Sequence, residues 1–192
     1  MAGVDPRITL LRNSVLAAPV VWKGEYPYFV HPLTDGVPRQ SAELLVAARD
    51  LIIEMVDWNN VDVILGVEAM GLPLAATLSV AVNKPLVIAR KRSYGMEGEV
   101  EVGQSTGYSK GAIFLNDLHE GDRVLVVDDV ISTGGTMSAI LSSIERIGAT
   151  FPLVVILFEK GEGMQKLIEE HGWPMQSLVR LLMKGAEVVL LD

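Results

Sequence analysis

Two adjacent acidic residues, Asp128 and Asp129, follow a run of four apolar residues and precede a turn of hydroxyl and glycine residues. The whole segment, residues 124–136, reads VLVVDDVISTGGT. Gly134 and Gly135 let backbone approach an anion closely, and the free N–H groups of a helix that starts here complete a cradle for phosphate. Because carboxylates repel a phosphate, their place beside one indicates that they bind hydroxyls or a cation. The segment therefore predicts a site for a phosphorylated sugar, held by its phosphate and its diol.

Short apolar runs alternate with helical patterns along most of the chain, and these elements must position the acidic pair. Strands are predicted at residues 61–67, 86–89, 112–115, 124–127 and 153–158, with a hairpin over 178–191. Helices are predicted from Asp5, from Ser41, and over residues 71–82, 136–147 and 164–171. This order is typical of an α/β fold with a mainly parallel sheet covered by helices on both faces. Ligands bind beyond the carboxyl ends of such strands.

Two segments do not fit this alternation. Residues 15–40 contain four prolines and four aromatic residues, which predicts an irregular flap. Residues 93–111 are polar and rich in glycine, and a long loop inside a compact domain is typically a lid or a disordered segment. We expect a single domain over residues 1–192, with a small hood formed mainly by 15–40 and, as a second contribution, by 172–192.

Composition excludes several classes of protein. The chain has 192 residues, and the 49% that are hydrophobic exclude a disordered protein. The absence of cysteine fits a reducing compartment. Its net charge is −8 and its longest basic tract is residues 90–92, so binding to nucleic acid is not expected. No apolar run approaches the 18 or so residues of a membrane span. We predict a cytoplasmic protein without a membrane partner.

The segment 124–136 resembles the PRPP-binding motif of type I phosphoribosyltransferases almost residue for residue. Further segments resemble the adenine enzymes of that family: residues 25–38 (EYPYFVHPLTDGVP) their base-site segment, 63–71 (VILGVEAMG) their pyrophosphate loop, 89–92 (ARKR) their basic strand end, and 103–111 (GQSTGYSKG) their lid. Over nearly the whole chain, the sequence is most similar to archaeal hypoxanthine/guanine phosphoribosyltransferases. The resemblance implies the type I phosphoribosyltransferase fold.

The resemblance also implies roles for individual residues. Asp128 and Asp129 would be catalytic and hold the ribose hydroxyls, directly or through a Mg²⁺ ion that PRPP carries. The 5-phosphate would be bound by Ser132, Thr133, Gly134, Gly135 and Thr136. The pyrophosphate would be bound by Glu68, Ala69, Gly71, Arg90 and Lys91. The lid residues Ser105, Thr106 and Tyr108 would close over it.

For the purine, the resemblance indicates residues of the flap and of a strand end: Tyr28, Phe29, His31, Phe158 and Lys160. For each aromatic residue, and for His31, the alternative is a place in the core. The implied activity is transfer of 5-phosphoribosyl from PRPP to N9 of hypoxanthine or guanine by a homodimer. Two other functions stay open: an adenine phosphoribosyltransferase, and a regulator that binds PRPP or a nucleotide without catalysis.

Two positions depart from the family pattern. Adenine enzymes usually carry arginine where Met70 stands, so one pyrophosphate contact must come from elsewhere. Bacterial and animal hypoxanthine/guanine enzymes carry an aspartate, proposed as the base at purine N7, where Ser132 stands. The purine proton would then pass to Asp129, to Glu99 or Glu101 near the lid, or to solvent.

Overall fold

The computed structural model describes residues 5–103 and 112–191. Its helices are α1 (Pro6–Leu16), α2 (Pro32–Asp35), α3 (Ala42–Met55), α4 (Gly71–Val82), α5 (Gly135–Ile147) and α6 (Gly163–His171). Its strands are β1 (Val20–Lys23), β2 (Tyr26–Phe29), β3 (Val63–Val67), β4 (Leu86–Ala89), β5 (Val100–Val102), β6 (Ile113–Leu115), β7 (Arg123–Ile131), β8 (Thr150–Lys160), β9 (Met175–Lys184) and β10 (Glu187–Leu191).

Six strands form the main sheet in the order β10-β9-β8-β7-β3-β4. All neighbouring strands are parallel except β10, which pairs with β9 in an antiparallel hairpin at one edge. The predicted mainly parallel sheet is confirmed. The carboxyl ends of β3, β4, β7 and β8 therefore lie at one edge of the sheet, where ligands bind in open α/β folds.

Helices cover both faces of this sheet, which explains why the strands are continuous apolar runs. On one face, α5 and α6 pack through Met137, Ile144 and Leu167 against strand residues such as Val126. On the other face, α1, α3 and α4 contribute Leu11, Ile52 and Leu78 to a second core. All five residues of β3 are buried. Both faces of β3 are covered, so alternation with polar residues there would have buried polar groups.

The structure differs from the predicted elements in three places. The strand predicted to end at Val127 continues to Ile131, because pairing with β8 holds its backbone extended as far as Ile131. The acidic pair therefore lies inside β7. The flap is more regular than predicted, because β1 and β2 form an antiparallel ribbon. Pro32 is the first residue of α2, where the helix does not use the N–H that proline lacks. The predicted loop 93–111 contains a strand, β5, which pairs with β6 just beyond the loop.

The carboxyl-terminal hairpin β9–β10 belongs to the main sheet. The two-stranded ribbon β1–β2 is a separate sheet, and residues 15–40 as the hood stay a prediction. No helix in the described ranges is long and apolar enough to cross a membrane.

Candidate active site

The acidic pair occupies neighbouring positions near the carboxyl end of β7, and the two carboxyl groups are close enough to interact with each other. Both residues are half-buried, and the Asp129 N–H donates to Asp128 Oδ1 at 2.9 Å. Burial, reinforced by the charge of Asp129, raises the pKa of Asp128 well above its usual value. Burial also raises the pKa of Asp129 to about 6. Hydroxyl donors or a cation at this pair would replace the lost hydration.

The turn after β7 forms a shallow cavity of about 200 Å³, which is lined by Asp128, Val130, Ile131 and residues 132–137. Gly134 adopts the left-handed conformation, with φ of 82°, and caps the start of α5. The first intrahelical bond runs from the Ser138 N–H to the Gly134 carbonyl at 2.8 Å. The start of an α-helix presents backbone N–H groups and the positive end of the helix dipole, so this cavity has features that favour a phosphate.

The turn rests on the start of α6. A Cβ atom at Gly163 would overlap the carbonyl oxygen of Ser132 and would lie 2.6 Å from the carbonyl carbon of Thr133. A Cβ atom at Gly134 would lie 3.0 Å from the Leu167 side chain and 3.1 Å from the Gly163 carbonyl. Two glycines therefore permit close backbone contact between α6 and the turn of residues 132–136, which we call the phosphate turn after its predicted role. Sequence reasoning missed Gly163, for which the only signal is a glycine just before a predicted helix.

The loop between β3 and α4 begins with a cis peptide bond between Glu68 and Ala69. Gly71 starts α4 and is buried. A Cβ atom at Gly71 would lie 2.9 Å from the Val127 carbonyl oxygen and 3.1 Å from Asp128 Oδ1. Absence of a side chain at Gly71 thus brings the start of α4 directly against the acidic pair.

Glu68 links this loop to the basic strand end that follows β4. Its carboxylate accepts the Lys91 N–H at 2.8 Å, and its Oε2 lies 3.0 Å from Arg90 Nε. The Lys91 charge lowers the pKa of both members of the acidic pair, against the stronger effect of burial. Arg90 and Lys91 are thus brought to the same edge as the two loops. The predicted lid residues Ser105, Thr106 and Tyr108 lie outside the described residues.

Met70 turns towards the hood. Its Sδ lies 3.6 Å from the position that a Cβ atom would take at Gly36, just after α2. Met70 also lines a narrow apolar pocket together with Leu33, Leu157 and Asp129. An apolar contact between the hood and the β3–α4 loop therefore stands at Met70, one of the two positions where the sequence departs from the family pattern.

Three of the predicted purine residues lie in the core: Phe29, His31 and Phe158 are 3%, 0% and 0% exposed. The His31 Nδ1 accepts the Leu33 N–H at 3.2 Å, so its Nε2 carries the proton and donates to Ser14 Oγ at 2.9 Å. The Ser14 hydroxyl in turn donates to the Leu11 carbonyl. Burial lowers the pKa of His31 to about 4. In this conformation the three side chains are part of the core, and contact with a purine would require them to leave it.

Tyr28 and Lys160 are partly exposed at the hood and at the end of β8. The Lys160 ammonium lies 5.6 Å from the centroid of the Tyr28 ring. The Tyr28 hydroxyl donates to Asp35 at 2.8 Å. These two residues are thus brought together, and their contact with a purine stays a prediction.

Glu99 is a poor proton acceptor in this structure. Its carboxylate accepts the Ser93 hydroxyl, the backbone N–H groups of Tyr94 and Gly95, and the Asn116 amide. These donors lower its pKa to about 2. The predicted routes for the purine proton that remain are Asp129, Glu101 and solvent.

The acidic pair also fits a magnesium ion that arrives with a substrate. Within residues 5–103 and 112–191, no group of three or more histidine, cysteine, aspartate or glutamate side chains could hold a metal by itself. Mg²⁺ typically binds one or two carboxylates together with substrate phosphates and retains several waters. Two adjacent carboxylates beside a phosphate cradle meet that requirement.

The fold and this edge of loops define the class of protein. The phosphoribosyl transferase domain matches residues 40–190, so the chain belongs to that family. Among curated relatives, the hypoxanthine/guanine phosphoribosyltransferase of Methanotorris igneus is 47% identical over 182 residues, covering 95% of this chain and 100% of that protein. The protein of the same name from Ferroglobus placidus is also 47% identical, covering 95% and 96%.

Solved structures with the same fold include adenine phosphoribosyltransferases. The enzyme from Rhodothermus marinus has a TM-score of 0.73 at 23% identity and covers 92% of this chain and 99% of that chain. The Trypanosoma brucei enzyme, in complex with AMP, pyrophosphate and ribose-5-phosphate, has a TM-score of 0.74 at 20% identity, covering 94% and 82%. At these identities the likeness shows the fold alone.

Proposed function

We propose that this protein is a purine salvage enzyme, a hypoxanthine/guanine phosphoribosyltransferase that converts PRPP and a 6-oxopurine into IMP or GMP and pyrophosphate. The observation that carries the proposal is the arrangement at the end of β7, where a half-buried acidic pair adjoins a phosphate-sized cavity at the start of α5. Relatives at 43–47% identity over about 95% of the chain bear this enzyme's name. We further propose that it works in the cytoplasm as a homodimer.

In this reaction the bond between ribose C1 and pyrophosphate breaks, the bond from C1 to purine N9 forms, and the purine loses a proton. The phosphate turn would hold the 5-phosphate while Asp128 and Asp129 accept hydrogen bonds from the ribose hydroxyls. That double attachment fixes the position of C1. Holding reactants in a productive geometry accounts for a large part of the rate in such reactions.

The leaving pyrophosphate is strongly anionic, whereas the protein carries a net charge of −8. Local positive charge is therefore needed where pyrophosphate departs. Arg90 and Lys91 supply it, with the backbone of the β3–α4 loop beside them, and Glu68 holds both residues against that loop. Mg²⁺, held by PRPP and the acidic pair, would add further charge stabilisation when bound. The lid predicted over residues 103–111 would exclude water.

The experiment is to incubate the protein with PRPP, Mg²⁺ and each purine in turn and to follow nucleotide formation. We expect IMP from hypoxanthine and GMP from guanine, with AMP from adenine formed only in traces. AMP alone would instead identify an adenine enzyme. No nucleotide from any purine, combined with binding of PRPP, would identify a regulator.

The site assignment has its own test. Asp129→Ala should abolish nucleotide formation and leave the circular dichroism spectrum unchanged, because the diol contact is lost while the apolar core is untouched. Glu187→Ala, which removes an exposed acid of the far edge strand β10, is the matched control. Wild-type turnover by the Asp129 variant would contradict the assignment.

A further inference from the structure

Asp35 ends the short hood helix α2 and is a carboxylate that neither the phosphate turn nor the pyrophosphate loop uses. Its Oδ1 accepts the Tyr28 hydroxyl at 2.8 Å. Its Oδ2 accepts the His31 N–H at 3.0 Å and the Thr34 hydroxyl at 2.7 Å. These donors fix the rotamer of a side chain that is only half-buried.

The position of α2 places this carboxylate beside the reacting centre. Leu33 of the same helix lines a pocket together with Asp129 and Leu157, so α2 lies across the end of β7. If the acidic pair holds the ribose hydroxyls, a purine attached to C1 extends into the space between β7 and the hood.

The hydrogen bonds leave Asp35 one open direction. An ionised carboxylate has about four lone-pair sites, two on each oxygen. In the described part of the chain two donors reach Oδ2 and one reaches Oδ1, so one site on Oδ1 can take a donor from a ligand. The same oxygen accepts the Tyr28 hydroxyl, and the Lys160 ammonium lies 5.6 Å from the centroid of the Tyr28 ring.

The edges of the purines differ in a way that a carboxylate detects. Hypoxanthine and guanine carry a hydrogen on N1, and guanine adds a 2-amino donor, whereas N1 of adenine is an unprotonated acceptor. Resting on the proposed function, we propose that Asp35 is the specificity-determining residue of the base site. It accepts the N1–H of a 6-oxopurine and repels the N1 lone pair of adenine.

A site built to pair one hydrogen-bonding pattern rejects the reversed one by up to about 10⁴-fold. In Asp35→Asn, the amide can donate to N1 of adenine and the repulsion disappears. We expect the ratio of kcat/KM for hypoxanthine to that for adenine to fall at least about 100-fold. An unchanged ratio, including one that results from equal losses of kcat/KM for both purines, would overturn the inference.

Thr34→Val is the matched control, because it removes a hydroxyl that supports Asp35 while keeping the carboxylate and the side-chain shape. A merely structural role would move kcat/KM for both purines by the same factor, and we expect that result for Thr34→Val alone. If wild-type protein forms no nucleotide from any purine, the proposed function fails. If it uses hypoxanthine and only the Asp35→Asn ratio is unmoved, this inference fails alone.

Wild-type protein gives a second measurement that does not depend on the folding of any variant. 6-Methoxypurine keeps an oxygen at C6 but has no hydrogen on N1. As a competitor of hypoxanthine it should have an inhibition constant at least about tenfold higher than the KM for hypoxanthine. Equal values would show that N1–H is not recognised and would overturn the assignment of Asp35.

Discussion

Gly163→Ala tests whether the start of α6 sets the position of the phosphate turn. Gly163 does not have a left-handed φ, so alanine is compatible with its backbone and only space opposes a side chain. The new Cβ would lie 2.6 Å from the Thr133 carbonyl carbon, whereas ordinary contacts begin at 3.4 Å. The turn or the helix must therefore shift by at least about 0.8 Å, and by more to clear the Ser132 carbonyl oxygen that the new Cβ would overlap. A displacement of about 1 Å can cost about 100-fold in rate.

We therefore expect kcat/KM for PRPP to fall about 10- to 100-fold in Gly163→Ala, through a higher KM for PRPP. The KM for hypoxanthine should stay within about threefold of wild type, since α6 and the hood pack into different core clusters of the sheet. Initial rates with each substrate varied in turn measure both quantities. Gln165→Ala, on the exposed face of the same helix, is the control and should match wild type.

A KM for PRPP within about threefold of wild type would refute this reasoning, because it would show that the contact between Gly163 and the turn yields without effect on the phosphate site. Thermal unfolding separates a local shift from general damage. A lower Tm together with equal losses for both substrates would also count against a role specific to the phosphate turn.

Three further outcomes follow from the site and from His31. Asp128→Asn should abolish activity but stabilise the protein at pH 8 by about 1 kcal/mol, raising Tm by about 2–4 °C, because it removes a half-buried carboxylate beside Asp129. This gain should shrink as pH falls and the wild-type carboxyl group becomes protonated. His31 has a pKa of about 4 in the folded protein and 6.5 in the unfolded chain. Between pH 7 and pH 4, the free energy of unfolding of wild type should therefore fall by up to about 3 kcal/mol relative to His31→Asn, as measured by urea unfolding. Asparagine keeps the cap of α2, and parallel pH profiles of the two proteins would contradict this. EDTA should stop nucleotide formation without lowering Tm, and Mg²⁺ should restore it, because the ion arrives with PRPP; a drop in Tm would instead indicate a resident metal.

Local sequence was enough to predict most elements and to place the acidic pair next to a glycine turn at the start of a helix. The strand before Asp128, the glycine turn and α5 follow one another directly, and their chemistry depends on spacing along the chain rather than on distant contacts. The same holds for α1, whose cap Asp5 accepts the Arg7 N–H at 2.8 Å. The apolar runs predicted the parallel sheet because both of its faces are covered, which only continuous apolar strands satisfy.

The base site could not be derived in this way. An aromatic residue or a histidine in a flap can stack on a ligand or fill a core, and only the packing of the hood on α1 and β8 placed Phe29, His31 and Phe158 inside. Likewise Glu68 meets Arg90, and Gly163 meets Ser132, across 22 and 31 positions of chain. Spacing in sequence fixes what neighbours along a strand or turn can do. Which side chains are buried, and which loops touch, depends on how distant elements pack, and that packing follows from the shape of the whole molecule.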